Sequence, residues 1–197
     1  MHDSRLASVS VPLATPAPSR LSALSPVAWL AARRGIPVSR NLTLLASAAF
    51  CLSFGMAAQN AVGNNFQVET LAMTAADRGL MEGGREVPGL LLAFISALAA
   101  AVPLPYLAAA MLAMMAVQYF SFYFVSDVWQ LIALVMFGSI GFHMWMPLSR
   151  ELNLSLADKT HAGRVLGFMA GTGSAGALLG MVTVFAFAPL LGYRMMF

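Results

Sequence analysis

Hydrophobic positions in this chain fall in long blocks, with polar residues gathered between them. Apolar stretches cover about 42–66, 80–102, 106–125, 129–148 and 164–190, and a last one begins at 193–197. Crossing a bilayer core takes roughly 20 apolar residues at about 1.5 Å rise each. The pattern therefore predicts an all-α, polytopic transmembrane bundle over 41–197, with five spans and the start of a sixth.

The fifth span carries Gly163, Gly167, Gly171, Gly176 and Gly180 at intervals of four and five. Glycine costs roughly 1 kcal/mol relative to alanine inside a helix. In lipid, small residues four apart let two helix backbones touch. These five are assigned to helix packing. Gly138 and Gly141 allow the same on the fourth span.

Polar residues inside the blocks are the candidate chemistry. Asn60, Asn64 and Gln67 follow i, i+4, i+7 and share a helix face. They either hydrogen-bond to neighbouring helices or line a wet cavity. Glu82, Arg85 and Glu86 open the second span at i, i+3, i+4, so the arginine can pair with both acids. They are either solvated end residues or an intramembrane ion cluster, which marks a substrate or proton site. His143 stands one turn before Pro147. It is either a neutral, hydrogen-bonded histidine or a proton shuttle.

Composition agrees with the block pattern. The chain has 197 residues, 59% hydrophobic and 10% charged, against about 25% charged in a soluble domain. Its solvent must be partly lipid. The net charge of +3 does not point to nucleic acid, because five basic residues lie within 1–40. That segment, with prolines at 12, 16, 18, 26 and 37, reads as a disordered tail with a short helix near 24–34. Its acid-poor, serine-rich character also suits a transit peptide. The loop 149–163 is the most basic internal one. Tail, loop and the Pro103–Pro105 turn fall on one side, which the positive-inside rule makes cytoplasmic. The expected location is a bacterial inner membrane.

Several motifs do not carry chemistry. GTGSAG at 171–176 matches a dinucleotide fingerprint literally, but it lies in a membrane-length run with no acid after it. Ser174 has no histidine after it to act as base. Cys51 is alone, and His2, His143 and His161 are far apart. No metal, cofactor or enzymatic activity is expected.

Three places resemble the major facilitator superfamily of transporters. HAGRVLGFMAGTGSAGALLG resembles its fourth loop and fifth helix, GSIGFHMWMP its glycine-paired fourth helix, and GYRMMF its Gly-Trp-Arg opening of helix six. The order of helices fits across 41–197. Departures are the missing Gly-Asp-Arg loop, replaced by AAAVPLPY; Leu134 near the place of the proton-linked arginine; and Met181 after Gly180, where antiporters have proline.

The resemblance implies the N-terminal half of a secondary transporter working by alternating access, with substrate near the midplane. A missing C-terminal half or a partner chain would complete it. The expected site is then Asn60, Asn64, Gln67, Glu82, Arg85, Glu86 and His143. Either Glu82 or Glu86 would carry a coupling proton, and Arg85 would bind an anionic substrate group. The competing reading is a membrane scaffold that moves no solute. The solute, the coupling ion and the direction are not fixed by the sequence.

Overall fold

The computed structural model describes residues 26–36, 38–157 and 160–197. Expectations for 1–25, including the disordered tail and transit peptide, lie outside the described residues, as do Asp158 and Lys159. The described residues are helical, without strands: α1 (Pro26–Arg33), α2 (Arg40–Asn65), α3 (Ala75–Leu90), α4 (Leu92–Ala99), α5 (Leu104–Ser121), α6 (Val128–Ser155) and α7 (Ala162–Leu191). Four segments are long and apolar enough to cross a membrane: Arg40–Thr70, Leu104–Phe124, Val128–Ser155 and Ala162–Leu191. That is the pattern of a helical integral membrane protein.

The second expected span, 80–102, is not among them. It starts early, at Ala75, behind a capping box between Thr74 and Asp77, and it breaks at Leu91 into α3 and α4. Pro88 supplies no N–H and crowds the carbonyl four residues back, and the flanking Gly83, Gly84 and Gly89 are weak helix formers. The first turns are polar because they are amphipathic, with Met81 and Pro88 buried.

Other boundaries shift for local reasons. The short helix expected near 24–34 is α1, Pro26–Arg33. Ala31 and Ile36 are buried against Leu42, Val165 and Phe168, and Gly35 turns the chain at φ +64°. Beyond Asn65, α2 widens into a π-helical turn, Phe66–Thr70. α6 continues past Pro147 to Ser155, so the first half of the expected loop 149–163 is helix. Arg150, Glu151, Leu152 and Leu154 are good helix formers whose polar members need only reach water. At the far end, Tyr193–Met196 is a 3-10 turn instead of the opening of a sixth α-helix.

Two groups of helices make the bundle. α2 packs along α7, while α6 lies between α3 and α5. Gly176 and Gly180 set the first contact. A methyl group on either would run into the backbone carbonyl of Phe50 or Phe54, so the two backbones touch. Gly163, Gly167 and Gly171 face open space and do not pack, which corrects the five-glycine expectation. Gly138 and Gly141 do serve the α5–α6 contact: they sit against the Gln118 side chain and the Met111 carbonyl.

The ends of the helices are tied. Arg194 donates to the carbonyls of Tyr123 and Val125, at 2.7 and 2.6 Å. Phe197 meets the rings of Phe66 and Phe122 edge-on. These contacts gather the C-terminal ends of α2, α5 and α7. Large side chains such as Phe185, which is 86% exposed, point outward from α7. In water such a surface would drive aggregation, whereas lipid tails solvate it.

Candidate functional site

A cavity of about 420 Å³ opens between α2 and the α3–α6–α5 layer, within the range that holds small ligands. It occupies the half of the bundle that contains the C-terminal ends of α2 and α5. Of the expected residues, Asn60, Asn64, Gln67, Glu82 and Arg85 line it. Asn60 and Asn64 lie on α2, and Gln67, inside the π-helical turn Phe66–Thr70, still faces the same cavity. All three face the cavity, and Asn64 also accepts a hydrogen bond from Arg78 on the neighbouring α3.

The charges on α3 form a chain leading out of the cavity. Arg85 pairs with Glu82 at 2.9 Å and Glu86 at 3.2 Å. Glu86 in turn lies 3.6 Å from His143 Nε2. Side chains of the three α3 residues are between 40% and 56% exposed, so they are half-solvated and not sealed inside the bundle. Neither Glu86 nor His143 lines the cavity, which corrects their placement in a common pocket. The His143 ring packs against Gly89, and its buried Nε2 has no hydrogen bond. A 3.6 Å separation lies beyond hydrogen-bond length.

Sequence reasoning missed part of the lining. Gln59, Arg78, Gln118, Tyr119 and Ser139 also face the cavity. The Ser139 hydroxyl donates to the Arg85 carbonyl and ties α6 to α3. Gln118 is 8% exposed and fits a notch left by Gly138. A lone amide in an aromatic stripe gave no sign of this, since its partner is a missing side chain on another helix. Arg78 donates to Asn64 Oδ1 at 2.7 Å. Outside the spans, the Thr74 hydroxyl and amide hold the Asp77 carboxyl below its usual range.

A second cavity of about 500 Å³ lies towards the opposite end, between α2, α6 and α7, lined by Ser53, Trp145, Asn153 and Ser174 among others. Leu52 lines this one and Met56, one turn on, lines the first; Trp145 and Phe142 divide in the same way. Ser174 therefore faces a cleft, yet no described histidine or acid lines it. No group of three or more potential metal ligands occurs among the described residues.

In comparisons with known proteins, the sequence matches no family model and no curated protein. The fold and the site together define a helical membrane protein with a polar cavity inside an apolar bundle.

Proposed function

We propose that this chain is part of a secondary transporter that moves a small solute by alternating access, in the manner of the facilitator superfamily it resembles. The observation that carries the reading is the cavity. Asn60, Asn64, Gln67, Glu82 and Arg85 come from different helices onto one polar space, whereas polar groups in a membrane interior are costly and concentrate on solute pathways. The second cavity, on the other half of α2 and α6, supplies space towards the opposite face. Arg33, Arg34, Arg40, Arg150 and Arg164 all lie at that end, which the positive-inside rule places in the cytoplasm. The polar cavity then faces outward.

Arg85 holds Glu82 and Glu86 together, so its loss leaves two acids unpaired beside the cavity. Proteoliposomes carrying the complete transporter, this chain with the half or partner that completes it, should accumulate a solute from a labelled panel, and Arg85→Ala should abolish uptake with insertion intact. Normal uptake by that variant would remove this site from the pathway.

A second reading is a membrane assembly protein without transport. The open glycine face at Gly163, Gly167 and Gly171 favours it, since a helix of another chain could approach closely there. Under it, Glu82→Gln, Glu86→Gln and His143→Ala leave every flux unchanged, while Gly171→Leu breaks complex formation.

A further inference from the structure

The expectation that Arg85 receives an anionic solute does not fit its surroundings. Two carboxylates already occupy its guanidinium, at 2.9 and 3.2 Å. Arg78, two turns nearer the α3 N-terminus, is different. It lines the same cavity and donates one hydrogen bond, to Asn64 Oδ1. Among the described residues no carboxylate lies within ion-pair distance of it. A guanidinium has five N–H donors in a planar fork that matches a carboxylate. Asn64 fixes one edge of that fork at the cavity and leaves the rest available.

The second observation is Gln67. It is 8% exposed, it lines the cavity, and its Oε1 has no hydrogen-bond partner. A buried acceptor left unpaired is destabilising, and buried polar atoms are nearly always satisfied. Here the missing partner is a donor. Gln67 lines the cavity, and the side chains of Phe66, Met73 and Met81, an apolar cluster at this end of the helix, offer no donor.

We infer that the cavity binds a small organic acid bearing a carboxylate and, next to it, a hydroxyl or ammonium donor. The carboxylate meets the Arg78 fork and the donor meets Gln67 Oε1. Glu82 lies further along the same lining and disfavours a second anionic group. This assignment deepens the transporter reading and rests on the same cavity.

Binding is read on the full chain in nanodiscs, as the ligand-dependent rise of the unfolding midpoint. Glycerate and serine carry a carboxylate beside a hydroxyl or an ammonium group. Glycerol and serinol keep the donors without the carboxylate, and propionate keeps the carboxylate without the donor. Protection is expected from glycerate or serine, at least tenfold weaker from the other three. Protection by glycerate alone shows that the site takes a hydroxyl beside the carboxylate, and protection by serine alone that it takes an ammonium there.

Arg78→Gln should weaken the effect at least tenfold, and Arg78→Lys should restore part of it. Gln67→Leu should remove the advantage over propionate; Gln67→Met, closer in shape, guards against a folding defect. Equal protection by glycerol or serinol, no protection by either acid, or indifference to Arg78→Gln overturns the assignment. Failure of the transporter reading looks different: acids bind through Arg78 but do not cross the proteoliposome membrane. Conversely, uptake of a neutral solute indifferent to Arg78→Gln keeps transport and discards the acid.

Discussion

His143 on α6 places its Nε2 3.6 Å from the Glu86 carboxylate on α3, and Gly89 is the residue that permits this. A methyl group on Gly89 would stand 2.7 Å from the ring's Cε1. Gly89→Ala should therefore displace the ring and cost about 1–3 kcal/mol as overpacking. In the His143→Ala background the same change should cost far less, since residues in contact couple. Thermal unfolding of the four proteins measures the cycle. Additive effects would mean that ring and glycine do not meet.

The glycines of α7 divide into two classes. Gly176→Ala and Gly180→Ala push on the Phe50 and Phe54 carbonyls, which are backbone and cannot swing away. Each should destabilise by at least about 1–3 kcal/mol. Gly163→Ala, Gly167→Ala and Gly171→Ala meet nothing and should stabilise by up to about 1 kcal/mol through helix propensity. Unfolding midpoints in a single detergent separate the classes, and a uniform effect would contradict the α2–α7 contact.

Arg194 should act as a clasp on the ends of α2 and α5. Its two hydrogen bonds reach carbonyls at Tyr123 and Val125, and its guanidinium lies 5.4 Å from the centre of the Phe66 ring. Arg194→Ala should cost about 1–3 kcal/mol, the range for losing charged hydrogen bonds at a half-buried site. Hydrogen exchange should show the loss first at Phe122–Val125. Unchanged protection there would remove the clasp.

The start of α3 should respond to acid. Asp77 accepts from the Thr74 hydroxyl and amide, which lowers its pKa from the usual 3.8. A depressed folded value means that the cap stabilises above 3.8 and is lost as pH falls through the folded value. Protection factors of the first-turn amides of α3 should fall in that window, and Asp77→Asn should remove the step. A step that persists in Asp77→Asn would belong to another group.

The block pattern made the helices legible because it is local. Each apolar run needs only its own length to span a bilayer, and four of the five expected runs meet that test in the structure. The 80–102 run does not, since its continuity was decided by Pro88 and the glycines around it more than by its hydropathy. The charged triad Glu82, Arg85 and Glu86 was equally legible, because its pairing lies within one helix face.

What spacing along one helix could not give was which helices meet. Gly163 and Gly176 look alike in sequence, but only the second touches α2, because contact depends on which side of α7 its neighbour occupies. Arg78 reaches the cavity through Asn64 on α2, and Gln118 sits where Gly138 on α6 makes room for it; neither partner is near in sequence. The sequence by itself determined the membrane-length helices, the polar stripe on α2 and the ion triad on α3. Only the tertiary structure decided that the stripe shares a cavity with Glu82 and Arg85, that Glu86 and His143 stand outside it, and that Gln67 Oε1 is left unpaired. Helix periodicity arises from bonds within a few residues, whereas a cavity is the space left between side chains far apart in the chain.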